Sequence, residues 1–139
     1  GQPTAYPRRC ALRLDGLASI QAGYQGGEFT TQPLLFDGSR LELNFSTSAP
    51  GGVRVELQDV SGKPLPGFTL ADASELNGDE IGCNCSRRAG AGVASVKGQA
   101  IRLRFVLKDA DVYAFQFRAW CRQRGNPDRP HSPPPTRIR

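Results

Sequence analysis

Strict alternation of apolar and polar residues constrains this chain more than any other feature. In Arg40-Leu41-Glu42-Leu43-Asn44-Phe45-Ser46 every second side chain is apolar. The same holds for Val53-Arg54-Val55-Glu56-Leu57-Gln58 and for Ile101-Arg102-Leu103-Arg104-Phe105. Successive side chains of a strand point to opposite faces, so each run predicts a strand with one buried and one wetted face. Leu43, Phe45, Val55, Leu57, Leu103 and Phe105 form the expected core, while Gln58 lies on the opposite, wetted phase. Residues 112–117 predict a further strand, with Tyr113, Phe115 and Phe117 on one side; core packing is then the expected role of Tyr113. Residues 11–14, 17–21, 28–31, 68–70 and 93–96 are shorter strand candidates. No segment sustains a 3.6-residue apolar period, and residues 71–75 offer one helical turn at most.

Turn chemistry separates these runs. Asp37-Gly38, Pro50-Gly51-Gly52, Ser61-Gly62-Lys63-Pro64 and Asn77-Gly78 supply the positive or fixed φ that reversals require. Lys108-Asp109-Ala110-Asp111 lies between two strand runs and reads as a hairpin connection. The expectation is an all-β chain, an antiparallel, jelly-roll-like β-sandwich of about eight strands. Leu, Ile, Val and Phe make up 22% of the 139 residues, just enough apolar surface for one core. The module is expected over residues 10–121, preceded at 1–9 by a linker or the end of another domain. From Gly125 to Arg139 there are five prolines and one hydrophobic residue, Ile138, so residues 122–139 read as a disordered tail.

Charge and hydropathy narrow the partners. The formal net charge is +5, yet between Cys10 and Phe117 ten Lys and Arg face twelve Asp and Glu. The basicity belongs to the two ends, which argues against a nucleic-acid surface on the folded body. No window of about 18 apolar residues exists, so no membrane-spanning helix is expected and no membrane partner is assigned. Gly1-Gln2-Pro3-Thr4 lacks the basic and apolar regions of a signal peptide, so a signal has been removed or the chain belongs to something longer.

Several separate motifs then follow in order: Arg13-Leu14-Asp15-Gly16 leading to Gln21-Ala22-Gly23, Val55-Glu56-Leu57-Gln58-Asp59, Gly62-Lys63-Pro64-Leu65-Pro66-Gly67-Phe68, Gly78-Asp79-Glu80-Ile81, and Ile101 through Asp111. Together they resemble the C-terminal β-sandwich module of uncharacterised bacterial glycosidase-like proteins, whose five-bladed β-propeller is related to family 32 glycoside hydrolases. The resemblance covers about three quarters of the chain. It implies that residues 1–9 correspond to the exit from a last propeller blade, that the propeller is the partner of this module and holds any catalytic acids, and that the parent protein is exported. Two stretches depart from the family pattern. Gly82 to Gly92 carries Cys83 and Cys85 and no tryptophan, and nothing in the family matches the chain after Phe117.

Each candidate site has a plainer alternative. Asp79 and Glu80 are adjacent, so on a strand they face opposite ways and cannot flank one glycosidic bond. Asp109 and Asp111 share a side, where Asp favours turn formation; the sharper reading is a calcium site completed by Asp79 or Glu80. His131, the only histidine, lies in the proline-rich tail, where no imidazole is held rigidly enough for Ser-His-Asp chemistry. Cys10, Cys83, Cys85 and Cys121 offer a single C-x-C spacing, which argues against a structural zinc site. Their even count permits disulfides in an exported protein, with Cys10 and Cys121 bracketing the strands, and permits four free thiols equally. Tyr6, Tyr24, Tyr113 and Trp120 are the aromatic candidates for stacking on sugar. Tyr24, in Gly23-Tyr24-Gln25-Gly26-Gly27, is best placed for exposure, with Gln25 as its polar neighbour.

The expected function is that of a non-catalytic accessory module that packs on a propeller and contacts carbohydrate, with no catalytic residues of its own and no cofactor beyond that possible calcium. A purely structural domain without ligand, and a polyanion-binding protein acting through its arginine-rich termini, are the competing readings.

Overall fold

A computed structural model describes residues 11–85 and 92–119. The segment 1–9, Cys10, Tyr6, Trp120, Cys121, His131 and the 122–139 tail lie outside those residues. The chain is all-β: one antiparallel sheet of five strands curls into a half-barrel. The strands are β1 (Ile20–Ala22), β2 (Gly27–Thr30), β3 (Arg40–Gln58), β4 (Asp79–Asn84) and β5 (Arg102–Arg118). A short 3-10 turn, Val93–Val96, precedes β5 and places Val93 and Val96 in the core. The lateral order is β1-β5-β3-β4, and β2 pairs directly with β5 at residues 104–107, next along that strand from β1 at residues 110–112.

Five strands replace the expected eight because two pairs of predicted strands are continuous. Residues 40–46 and 53–58 are the two ends of β3, and residues 101–105 and 112–117 fall on the single strand β5 apart from Ile101, which sits just before it in an isolated bridge to Leu34. The 108–111 segment therefore is not a hairpin connection. Both flanking runs find their partner on the same long strand: Val53 to Gln58 pair with Leu107 to Arg102, and Arg40 to Thr47 pair with Arg118 to Ala110. Pro50-Gly51-Gly52 likewise does not reverse the chain. Residues 48–51 bulge out opposite Asp109 alone, which takes φ 42°. Gly51 is required there, since a Cβ would stand 2.5 Å from the Asp109 carbonyl oxygen and 2.7 Å from that of Lys108.

The same irregularity crosses the whole sheet. β1 and β2 are separated by residues 23–26 opposite the Lys108–Asp109 step, and Asp109 N donates to Gly23 O at 3.0 Å. On the far side, Thr47 N donates to Gly78 O at 2.8 Å, Leu76 bridges Val53, and Asn77 Nδ2 reaches Gly51 O at 3.3 Å. Loop 23–26, Asp109, residues 48–51 and Asn77-Gly78 thus form one transverse crease. Bulges bend strands and increase their twist, so a line of them lets one sheet wrap around its own core.

The alternating apolar positions fill that core. Leu43, Phe45, Val55, Leu57, Leu103 and Phe105 are all buried on the inner face, together with Leu41, Val53, Leu107 and Val112. Phe105 stacks on Phe29 with ring centroids 4.6 Å apart and tilts against Phe115 at 5.5 Å. Tyr113 does not join them. Asn44 pairs with Ala114 and Phe45 with Val112, so Tyr113 is the extra residue of a bulge; the Arg13 guanidinium lies 4.8 Å from its ring centroid. Nor is the outer face wet where alternation predicts it. Glu42, Asn44, Glu56 and Gln58 are buried, because segments outside the strands cover them. Residues 11–14 and 68–70 form no strands, and residues 93–96 form the 3-10 turn. One turn closes at 69–73, with Asp72 N and Ala73 N both donating to Thr69 O.

Candidate functional site

The crease presents Tyr24. Gly26, at φ 83°, donates its N–H to Gly23 O at 2.9 Å, and this tight turn pushes Tyr24 and Gln25 outward at its tip. Tyr24 is 64% exposed and lies beside an open groove of about 560 Å³, lined by Gln25, Glu28, Arg54, Val106 and Lys108 among others. Lys108 Nζ stands 4.9 Å from the Tyr24 ring centroid, a cation–π contact that orients the ring. Arg54 is held by Glu75 at 3.7 Å and Glu28 by Arg104 at 2.5 Å, so both side chains that border the groove are braced from outside it. The hydrogen bonds that Arg104 donates to Glu28 are the main cause that raises the guanidinium pKa above its ordinary value.

The carboxylates are arranged for structure. Asp111 Oδ1 accepts a bond from Ser19 Oγ at 2.8 Å and ties the chain before β1 to β5. Asp109 occupies the crease. Asp79 is bonded by the Arg13 guanidinium, whose Nη2 also donates to the carbonyls of Phe45 at 2.7 Å and Glu80 at 2.6 Å. Among the described residues no group of three or more His, Cys, Asp or Glu side chains stands close enough to hold a metal, so Asp109 and Asp111 gain no third ligand from Asp79 or Glu80. Cys83 is a free thiol packed partly against the core. Burial pushes its pKa up from 9.0 and the Glu80 charge adds to this, so it is a poor nucleophile at neutral pH. The expected disulfide question for Cys10 and Cys121 lies outside the described residues.

A second concavity was not legible in the alternation. Glu42 and Asn44, only 8% and 6% exposed, floor a cleft of about 360 Å³ on the outer face of β3, bordered by Leu14, Asp15, Ile81 and Gln116. An alternating polar residue looks the same in sequence whether water or another segment covers it. No local signal separates these cases.

The chain matches no family model, no curated protein and no solved structure.

Proposed function

We propose that this chain is a non-catalytic accessory β-module of a glycoside-hydrolase-like protein, sandwich-like in architecture, which packs against a propeller domain and contacts carbohydrate at the Tyr24 groove. The observation that carries the reading is a single exposed tyrosine ring at the tip of a rigid turn, beside amide, carboxylate and guanidinium groups. Sugar C–H faces pack on such rings while neighbouring polar side chains bond the hydroxyls, and small-molecule sites are generally built from an apolar platform with a few polar groups. A docking role is supported by Leu12, Leu17 and Ile20, large apolar residues exposed along the segment that leads into β1.

The test is glycan binding by the intact chain and by Tyr24→Ser. Binding is expected to be weak, about millimolar, because one ring offers little burial to offset the cost of association. Tyr24→Ser should abolish binding at the groove, read at the amides of Gln25 and Lys108, without lowering the thermal midpoint. Equal glycan-induced shifts at Gln25 and Lys108 in both proteins would remove the groove from consideration. No glycoside hydrolysis is expected, since Asp79 is engaged by Arg13 and Glu80 is its strand neighbour. Turnover that survives rigorous purification and vanishes in Asp79→Asn or Asp111→Asn would overturn the accessory-module reading.

A further inference from the structure

We propose that the cleft over Glu42 and Asn44 is a second binding site, selective for a neutral polyhydroxylated ligand about the size of one sugar ring. It shares no lining residue with the Tyr24 groove and does not depend on that reading.

The cleft exists because β3 is flanked by two bulges at the same level. On the β4 side Leu43 pairs with Cys83 and Asn44 with Ile81, leaving Gly82 as the extra residue at φ 85°. On the β5 side the extra residue is Tyr113. Bulges re-aim side chains and are frequent beside binding sites. Across this widened face lies the 13–16 turn, closed by Gly16 N donating to Arg13 O at 2.9 Å. Arg13 fixes the turn by bonding Asn44 Oδ1 at 2.5 Å as well as Asp79 and two backbone carbonyls, and Asn44 Nδ2 returns a bond to Leu14 O at 2.6 Å. The turn is thus tied to the Asn44 end of the floor, and the cleft opens over Glu42, bordered by Leu14, Asp15 and Gln116.

The floor sets the ligand chemistry. Glu42 accepts a bond from Gln116 Nε2 at 3.2 Å and pairs with Arg40 and Arg118, each at 3.3 Å. Two guanidinium charges thus face the Glu42 carboxylate, and the Asp15 carboxylate at the rim brings the local sum to zero. An anion would meet Glu42 and Asp15, a cation would meet Arg118, and a neutral ligand meets neither penalty. Amide and carboxylate groups exchange bonds readily with hydroxyls. Leu14 and Ile81, 65% and 54% exposed, supply apolar walls for a C–H face. A volume of about 360 Å³ falls within the ordinary range of small-molecule sites.

The experiment is amide-resolved NMR of the intact chain, titrated with glucose, galactose, mannose, N-acetylglucosamine and, as the charged control, glucuronate. At least one neutral sugar should give saturable shifts at the amides of Gly82, Ala114 and Gln116, with glucuronate at least tenfold weaker. Gln116→Ala and Ile81→Ser, both changes at accessible side chains, should each weaken those shifts about tenfold, whereas Tyr24→Ser should leave them unchanged. No saturable shift at these amides with any neutral sugar would overturn the site. So would glucuronate binding equal to that of the neutral sugars, or shifts unaltered in both cleft variants. Shifts confined to Tyr24, Gln25 and Lys108 would overturn this cleft while supporting the Tyr24 groove; shifts at the cleft alone would do the reverse.

Discussion

Each side of the crease buries a glutamate and, two residues on, an amide side chain on the outer face, and the two sides treat them differently. On one side Glu42 and Asn44 lie under the 13–16 turn; on the other Glu56 and Gln58, 3% and 7% exposed, lie under the 59–76 segment. Glu56 is contacted by its cover directly, since Leu70 N donates to Oε2 at 3.1 Å, and Gln58 Nε2 of its own strand donates to Oε1 at 2.7 Å. Arg104 adds a third contact at 3.4 Å. Glu42 receives nothing from the turn above it; its partners, Gln116, Arg40 and Arg118, all come from β5 and its own strand. A cover that bonds the buried carboxylate seals the face, whereas a cover anchored beside it by an arginine leaves room. One outer face is thereby structural and the other holds a cleft.

Both faces stand on one core, and its removal is the largest effect expected. Phe105 touches Phe29 and Phe115 from opposite sides of the crease. Phe105→Ala should cost about 3–5 kcal/mol and should do so in a single cooperative denaturant transition. Two separated transitions would show that the halves fold independently.

Next in size is the contrast between the two carboxylates. Glu56→Ala leaves the Leu70 N–H and the Gln58 amide without their acceptor in a sealed place, a loss of about 2–3 kcal/mol. Glu42→Ala should cost about 1 kcal/mol less, because water in the cleft can solvate the groups it abandons. Equal losses by urea denaturation would mean that the cleft is sealed in solution.

Arg13→Ala removes the anchor of the open side. It should cost about 1–2 kcal/mol and accelerate amide exchange at residues 14–16, leaving the amides of β3 and β5 as protected as before. Uniform acceleration would show that the turn supports the sheet itself.

The smallest effect lies in the turn that begins the sealing segment. Asp59 Oδ1 accepts bonds from Ser61 Oγ at 2.5 Å, Ser61 N at 2.9 Å and Lys63 N at 3.0 Å. The Ser61 hydroxyl and then the Lys63 amide hold its pKa below the usual 3.8. A depressed carboxylate pKa contributes stability above the unfolded value, and that contribution is lost as the pH falls through the folded value. Asp59→Ala should therefore lower the thermal midpoint slightly at neutral pH and converge with the parent at acid pH below 3.8. A difference that persists there would assign the effect to packing.

Much of the fold can be read from the residues one at a time. Alternation placed the inner face of β3 and the first half of β5 correctly because a side chain's face follows from its position along a strand. It failed after Asp109, where bulges at Asp109 and Tyr113 each shift the phase by one and carry Tyr113 away from Phe115 and Phe117. Ser61-Gly62-Lys63-Pro64 is recognisable as a turn because its backbone demands and hydrogen bonds are local. Pro50-Gly51-Gly52 carries the same local signature and was misread, since whether such a sequence reverses a chain or bulges out of it depends on what it pairs with. The exposure of Tyr24 is legible from its glycine-flanked loop, whereas the burial of Glu42 and Asn44 leaves no such trace.

The all-β class, the identity of the inner-face residues and the exposed Tyr24 turn follow from the sequence alone, because each depends on strand periodicity or on backbone freedom within a few residues. Tertiary structure alone decided that two pairs of strand runs join into β3 and β5, that their irregularities align into one crease, and that Arg13 reaches residues 31 and 66 positions away to hold a turn over Asn44. Pairing and coverage are relations between distant segments, and an outward-facing glutamate carries no mark of what will lie above it.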